Sequence, residues 1–312
     1  MSDSQSPDPH PIRLIHGISK LAPNYDGFVL DLWGVIHNGV EAFSWALDAL
    51  RCLQGQGARV VLLSNAPRRP RELVAALEKL GVPRELYDEV ISSGREAYAA
   101  LCDRTLPFYR NLGRHCFHLG PPRDRNMLEI DRLIEVRQPE KAEFVLATGP
   151  VSDDKDVAFH EDLLRGWAKR DVPMICANPD LVVIRGDERL ICAGAIAQRY
   201  EELGGRVQYH GKPFPEIYDT CRDVLGIRDS RRILAIGDSL RTDIRGAQNA
   251  GMDSILVAGG IHGDEWGLKP GAALDPENPP EGLRVKISEA CQSAGLRPLA
   301  VMGRFAWDAE TS

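Results

Sequence analysis

Three aspartates stand where a carboxylate is able to bind a metal ion. Asp31 directly follows one apolar run, and Asp238 follows another after a single glycine. Asp243 comes five residues later, at the start of a predicted helix. Each is an ordinary loop or helix-start residue if taken alone, but carboxylates that converge at one edge of a sheet need a cation, and oxygen ligands with water suit Mg²⁺. Together the three aspartates predict a magnesium site.

A second group of residues has the chemistry to bind phosphate. Ser64 and Asn65 follow the apolar run 60–63, and Lys212 stands directly before Pro213. A proline keeps the preceding residue extended, so Lys212 has a more restricted backbone than a solvated surface lysine. A hydroxyl and an ammonium group beside a metal site indicate phosphate-ester chemistry.

Other phosphate and hydrolase motifs are missing from the sequence. The glycines Gly205 and Gly211 have five residues between them, and Lys212 precedes a proline, so no P-loop is formed. No Gly-x-Gly-x-x-Gly occurs, and the sequence from Gly237 to Arg241 lacks the closing glycine of a nucleophile elbow. Nucleotide hydrolysis through a P-loop, dinucleotide binding and serine hydrolysis therefore lose their sequence evidence.

Apolar runs alternate with amphipathic stretches of helix length along the chain. This alternation is typical of βα units around a buried parallel sheet, and it predicts an α/β protein. The predicted strands are 28–30, 60–63, 144–146, 174–176, 233–236 and 254–257. The predicted helices are 44–54, 71–79, 95–102, 160–169, 193–203, 215–225 and 242–249. The polar start, 1–11, and the Pro/Gly-rich segment 269–282 are expected to be poorly ordered or loop-like.

The amino-acid composition argues against some classes of partner and indicates a cellular compartment. The 312 residues include 38 basic and 45 acidic side chains, for a formal charge of −7, and there is no long basic run. Binding to nucleic acid through a basic face is not expected, and no apolar stretch has the length of a membrane helix. The seven scattered cysteines show no zinc spacing and are expected to be mostly reduced and buried. The composition therefore predicts a cytoplasmic protein and is compatible with a homo-oligomer.

The order of these segments resembles the haloacid dehalogenase (HAD) superfamily of phosphatases. The matching pieces are Asp31 with Gly34, Ser64 with its neighbours, Gly211-Lys212-Pro213, and Gly237-Asp238 with Asp243. The long insertion before Lys212, which contains Asn178-Pro179-Asp180, looks like the cap of class IIA members, the NagD-like and pyridoxal phosphate phosphatase-like enzymes. The resemblance implies a three-layer α/β/α Rossmann-like core with a parallel sheet, formed by 1–103 and 208–312, and an inserted α/β cap at 104–207 that supplies specificity.

The resemblance also implies a role for each residue. Asp31 would be the nucleophile that forms an aspartyl-phosphate. Asp31, the backbone carbonyl of Trp33, Asp238 and Asp243 would hold Mg²⁺. Ser64 and Lys212 would bind the phosphate, with Lys212 neutralising charge during transfer. Asn65 would contact either the substrate phosphate or the turn itself.

Trp33 departs from the family pattern. Family phosphatases have a second aspartate there that acts as general acid and base, a contribution of about 10²–10⁴ in rate. An indole does not titrate. The chain is then a slow phosphatase that favours good leaving groups, an enzyme that borrows another acid, or a weak or inactive phosphoester-binding protein. His37 is the nearest titratable candidate, although Asn38-Gly39 is typical of an exposed turn. Dehalogenases of this superfamily also lack this aspartate, but they need no Mg²⁺. The presence of Asp238 and Asp243, a pair suited to a metal ion, therefore favours a phosphatase over a dehalogenase.

The expected function is Mg²⁺-dependent hydrolysis of a small phosphomonoester of the sugar, nucleotide or pyridoxal phosphate class. The alternative is a catalytically weak or inactive phosphoester-binding protein. Without a base beside Asp31, hydrolysis of the aspartyl-phosphate is expected to be slower than its formation.

Overall fold

The computed structural model describes residues 12–186 and 188–308. Polar segment 1–11 lies outside the described residues. In chain order the strands are β1 (Gly27–Asp31), β2 (Arg59–Ser64), β3 (Glu89–Ser92), β4 (His115–Leu119), β5 (Ile134–Glu135), β6 (Phe144–Ala147), β7 (Met174–Cys176), β8 (Val182–Arg185), β9 (Glu188–Ile191), β10 (Val207–Tyr209), β11 (Ile233–Gly237), β12 (Asp253–Val257) and β13 (Ala300–Met302). All predicted strands fall within these.

The described residues contain ten α-helices, which include a counterpart of every predicted helix. They are α1 (Ser44–Gly55), α2 (Pro70–Lys79), α3 (Ser93–Asp103), α4 (Pro107–Arg110), α5 (Glu161–Ala168), α6 (Ala193–Glu202), α7 (Pro215–Leu225), α8 (Arg245–Asn249), α9 (Gly263–Trp266) and α10 (Leu283–Ser293). Predicted helix 242–249 is divided into a π-helical turn, Leu240–Ile244, and α8. The segment 269–282 is irregular, as expected.

The larger sheet of the described residues has six parallel strands in the order β13-β12-β11-β1-β2-β3. Its central strand alternates between two cores. Phe28 and Leu30 pack with α1 and α2, whereas Val29 packs with α7 on the opposite face. Helices therefore cover both faces, and the predicted three-layer α/β/α architecture is confirmed. We call this sheet the core sheet.

A second sheet is formed by strands from the long insertion. Within the described residues it is parallel, with the order β10-β7-β6-β4-β5. One face packs against α5 and α6, and the other packs against α3. β8 and β9 form a separate antiparallel hairpin. We call residues 104–207 the inserted segment, and these exact limits remain a prediction.

Some elements escaped the sequence patterns. β3 and β13 are only four and three residues long, so their apolar runs are too short to stand out as strands. α10 begins after Gly282 without a side-chain cap, so the sequence has no clear signal for the start of this helix. The seven cysteines are free thiols, and five of them are buried. No helix of the described residues has both the length and the apolar character required to cross a lipid bilayer.

Candidate active site

The carboxyl ends of three neighbouring strands bring the predicted residues together. β1 lies between β11 and β2 in the core sheet. Asp31 is the last residue of β1, Ser64 is the last residue of β2, and Asp238 directly follows β11. Parallel strands present their carboxyl ends at the same edge, which is where ligands bind in open α/β sheets. Asp243 reaches this edge from the π-helical turn that follows.

The three aspartates form a buried carboxylate cluster. One oxygen from each of Asp31, Asp238 and Asp243 lies within 4.8 Å of the others. Burial and, to a smaller extent, the charge of Asp243 raise the pKa of Asp31 to about 7, although Lys212 opposes both effects. Burial also raises the pKa of Asp238 well above its ordinary value, with added repulsion from Asp31 and Asp243. The cluster therefore favours a cation among its oxygens.

Lys212 lies inside this cluster. Its Nζ donates hydrogen bonds to Asp31 Oδ1 at 2.5 Å and to Asp243 Oδ1 at 2.6 Å. Burial lowers the pKa of Lys212, but the charges of Asp243, Asp31 and Asp180 outweigh it and hold the pKa well above its ordinary value. Lys212 is therefore a buried, charged ammonium group and not a solvated surface lysine.

The donor set fits a hard divalent cation. All three side-chain donors are oxygens, and three carboxylates with one ammonium leave a formal excess of two negative charges. Mg²⁺ binds oxygen ligands at about 2.0–2.1 Å, so opposite ligands lie about 4 Å apart. The aspartate oxygens lie within 4.8 Å of one another, so one ion needs only small side-chain movements to reach all three.

Two glycines form the wall behind Asp238. A Cβ on Gly34 would lie 2.1 Å from Asp238 Oδ2, and one on Gly260 would lie 2.2 Å from the same oxygen. The backbone N–H of Ile261 donates to this oxygen at 2.8 Å. The Asp238 carboxylate is thus fixed by backbone on several sides, and any side chain at Gly34 must move it.

We expect Gly34→Ala to lower Mg²⁺ affinity by about 10- to 100-fold, the range typical of disturbed groups that support metal ligands. Isothermal titration calorimetry with MgCl₂ measures the change. Gly57→Ala is a matched control, because Gly57 has the same φ of 72° but nothing within 4 Å of its added Cβ. Equal Mg²⁺ affinity in the two variants would show that Asp238 does not bind the metal.

The residues predicted to bind phosphate differ in whether they have a hydrogen-bond donor free for it. Ser64 is buried, and its Oγ accepts a hydrogen bond from the Ala66 N–H at 3.1 Å, which leaves the hydroxyl proton to donate. The Asn65 amide is fully used. Its Nδ2 donates to Asp180 Oδ1 and to the Lys212 carbonyl, and its Oδ1 accepts from the Lys212 N–H. Asn65 therefore joins the backbone of Lys212 to Asp180, and it has no free N–H for a phosphate; its side-chain hydrogen bonds go to these distant segments and not to its own turn, so they match neither predicted contact.

Trp33 and His37 pack against each other beside Asp31. Their ring centroids are 5.1 Å apart with an edge-to-face geometry. The Trp33 indole also covers Gly39, where a Cβ would lie 2.3 Å from the ring, and Gly39 has a φ of 84°. The expectation that His37 sits on an exposed turn is wrong, because the indole of Trp33 lies over that turn and His37 is only 4% exposed.

The environment of His37 keeps its imidazole neutral. Burial lowers the pKa of His37 to about 4, and Nδ1 accepts the backbone N–H of Gly39 at 3.0 Å. The ring proton is then on Nε2, and Nδ1 is not available as a base.

A cavity of about 450 Å³ opens from the carboxylate cluster toward the inserted segment. Asp31, Trp33 and Lys212 line it on one side, and Asp180, Val183 and Ile191 line it on the other. The β8–β9 hairpin also touches the loop beyond Trp33, where the Gly186 N–H donates to the Asn38 carbonyl at 3.4 Å. The cavity is of a size to accept a small molecule.

Comparisons with known proteins point to one family. A sequence model of haloacid dehalogenase-like hydrolases matches residues 28–130, and a HAD-hydrolase-like model matches residues 209–280. A solved hydrolase of the haloacid dehalogenase-like family from Brucella suis 1330 is 31% identical, with a TM-score of 0.77, over 94% of this chain and 100% of that chain. This chain belongs to the haloacid dehalogenase-like hydrolase family.

Two curated proteins are similar to this HAD-like hydrolase over most of its length. 5′-Nucleotidase YutF of Bacillus subtilis is 24% identical over 261 residues, which are 80% of this chain and 95% of that protein. Chronophin of Bos taurus is 26% identical over 255 residues, which are 75% of this chain and 81% of that protein. The likeness thus includes the inserted segment as well as the core sheet.

One residue of the HAD-like site was not predicted from the sequence. Asp180 projects from the inserted segment to the same cavity and accepts a hydrogen bond from Asn65 at 2.9 Å. The tripeptide Asn178-Pro179-Asp180 was the only signal, and it indicated a cap without indicating that its carboxylate approaches the core sheet.

Proposed function

We propose that this chain, a phosphatase of the HAD-like hydrolase family, hydrolyses small phosphomonoesters with Mg²⁺ through an aspartyl-phosphate on Asp31. The observation that carries the proposal is the buried cluster of Asp31, Asp238 and Asp243 with Lys212 at the floor of a cavity. A carboxylate nucleophile, a metal-binding pair and a fixed cation are the groups that phosphoryl transfer requires.

The residues have separate roles in this reaction. An Asp31 carboxylate oxygen attacks the phosphorus, and the bond to the leaving oxygen breaks. Lys212, already in contact with Asp31, donates to the phosphoryl oxygens and neutralises their charge in a site shielded from water. The Ser64 hydroxyl donates to another phosphoryl oxygen. Asp31, Asp238, Asp243 and the Trp33 backbone carbonyl would hold Mg²⁺, which when bound offsets the charge of the phosphate against that of the carboxylates.

The inserted segment would act as the cap that selects the substrate. Its hairpin and Asp180 complete the cavity above the carboxylate cluster, so the leaving group must lie against them. The relatives named 5′-nucleotidase and chronophin support a small phosphate ester. Sugar, nucleotide and pyridoxal phosphates are the classes that we propose to test.

A Mg²⁺-dependent release of phosphate is the expected result. Phosphate liberated from p-nitrophenyl phosphate and from a panel of metabolite phosphates is measured with MgCl₂ and again with EDTA. Turnover should fall to background with EDTA and return on addition of excess MgCl₂. Equal turnover under both conditions would contradict the metal-dependent mechanism.

The second candidate function is phosphoester binding without efficient hydrolysis. Trp33, at the position of the second aspartate, and neutral His37 are the observations that favour it. No phosphate release in the panel, together with a rise in melting temperature on addition of one of the esters, would support binding over catalysis.

A further inference from the structure

The first obstacle to turnover is the leaving group. Two residues after Asp31, where the family supplies its acid and base, this chain has the indole of Trp33, which lies over Gly39. His37 is buried, and its Nδ1 already accepts the backbone N–H of Gly39. Neither side chain can give a proton to a departing alkoxide at neutral pH. A phosphatase with this site needs a carboxyl or imidazole from another element.

Asp180 is such a carboxyl. It follows β7 in the inserted segment and lines the cavity that contains Asp31, Trp33 and Lys212. Its Oδ1 accepts a hydrogen bond from Asn65 Nδ2 at 2.9 Å. Its other oxygen, Oδ2, has no hydrogen-bond partner in the parts of the chain described, and the side chain is partly exposed to the cavity. One oxygen is therefore anchored, and the other is available to carry a proton.

The loop that carries Asp180 is fixed on both sides. Its own N–H donates to Asn178 Oδ1 at 3.1 Å, and its carbonyl accepts the Gly194 N–H at 3.1 Å. From the core side, Arg241 donates to the Pro179 carbonyl, and the Ser93 hydroxyl donates to the Ala177 carbonyl at 2.6 Å. These contacts hold the carboxyl in one place relative to the core sheet, as proton transfer requires.

The surrounding charges suit a carboxyl that exchanges a proton. Enclosure away from bulk water raises the pKa of Asp180, Asp243 adds to this effect, and Lys212, Asn65 and Arg241 oppose it. Asp31 is a further charge nearby, since Asp180 contributes to raising the pKa of Asp31.

We propose that Asp180 is the general acid and base of this enzyme, supplied by the inserted segment in place of the residue that Trp33 replaces. The role rests on the proposed phosphatase function. In the first step Asp31 forms the bond to phosphorus, the ester P–O bond breaks, and Asp180 Oδ2–H gives its proton to the leaving oxygen, which departs as an alcohol. In the second step the oxygen of a water molecule attacks the phosphorus while the Asp180 carboxylate takes a proton from that water. The bond between phosphorus and Asp31 breaks, inorganic phosphate is released, and Asp180 is protonated again.

The test is the Asp180→Asn variant assayed with two kinds of substrate. An asparagine Oδ1 still accepts the Asn65 hydrogen bond but carries no transferable proton. We expect kcat/KM for an alkyl phosphate to fall by about 10²-fold or more, in the range of general acid catalysis, and kcat/KM for p-nitrophenyl phosphate to fall much less because p-nitrophenolate needs no proton to leave. kcat/KM is the correct quantity, because it reports the step that forms the aspartyl-phosphate.

Asp153→Asn is the control for loss of one negative charge from the cavity wall. Asp153 also lies on the inserted segment and pairs with Arg123 and Arg185, each at 3.4 Å. Its replacement should change kcat/KM by the same factor for both substrates. Asp180→Glu, which keeps a carboxyl, should restore part of the alkyl phosphate activity that Asp180→Asn loses.

Two failures are distinguishable. If wild-type protein releases no phosphate from any ester, the phosphatase function is refuted, and the role of Asp180 with it. If wild-type protein is active and Asp180→Asn changes both substrates by one factor, or changes neither, Asp180 is only a structural contact to Asn65. The phosphatase function then stands, and the acid must be sought elsewhere.

Discussion

Replacing Asp31 with asparagine is expected to abolish phosphate release from every ester, with a loss of about 10³-fold or more, because an amide oxygen is too weak a nucleophile to form the acyl phosphate. The fold should persist, since asparagine has the same shape and the variant removes one of three mutually repelling carboxylates from a buried cluster. Steady-state phosphate release and thermal unfolding without added metal measure the two effects.

Asp26→Asn is the matched control for this variant. Asp26 lies directly before the same strand, β1, but its carboxylate pairs with Arg232 at the surface at 2.6 Å. Its replacement should leave turnover unchanged. Retention of more than about a tenth of wild-type turnover in Asp31→Asn would be incompatible with a covalent nucleophile, whose loss costs several decades of rate.

Asp238→Asn should remove most of the Mg²⁺ affinity and, with it, the activity. The carboxylate is buried, is held by the Ile261 N–H at 2.8 Å and has no cationic side chain in hydrogen-bond contact within the described residues. Lys212 pairs with Asp31 and Asp243 instead, so the negative charge of Asp238 is the one that most needs a bound cation to balance it. We expect a fall in Mg²⁺ affinity of about 100-fold or more, as for loss of a charged ligand.

Calorimetry with MgCl₂ measures this change directly and does not depend on turnover. Asp264→Asn is a suitable control, because Asp264 is an exposed acidic residue on α9 that is not part of the carboxylate cluster. An unchanged Mg²⁺ affinity in Asp238→Asn would place the metal elsewhere, and the carboxylate cluster would then need another explanation.

The sequence was sufficient for residues whose position depends on strand ends. Asp31, Ser64 and Asp238 each follow an apolar run, and the parallel sheet necessarily brings those ends to one edge. The same reasoning predicted an α/β protein with a buried parallel sheet, because each run was followed by a stretch of helical periodicity; the three-layer arrangement came from the resemblance to the HAD superfamily. Local pattern and topology agree at these positions.

The remaining features depend on contacts between distant segments, which no local pattern records. Asp180 reaches Asn65 across 115 positions of the chain, and the Asn65 amide is consumed by Lys212 across 147. His37 looked exposed because Asn38-Gly39 is a turn sequence, and only the packing of Trp33 over that turn buries it. Trp33 was predicted to depart from the family pattern, and the consequence of that departure depends on what faces it across the cavity.

The order of strands in the core sheet also constrains how this protein can be made. β1, β2 and β3 are synthesised before the inserted segment, whereas β11, which pairs directly with β1, emerges more than 200 residues after it. A nascent chain that ends before β11 has Asp31 on an unpaired strand edge and lacks both Asp238 and Asp243. Pairing over such separations is slow and leaves strand edges open to aggregation. The inserted segment can form its own sheet during that interval, so the earliest compact part of the nascent protein is expected to be the one that carries Asp180 rather than the one that carries Asp31.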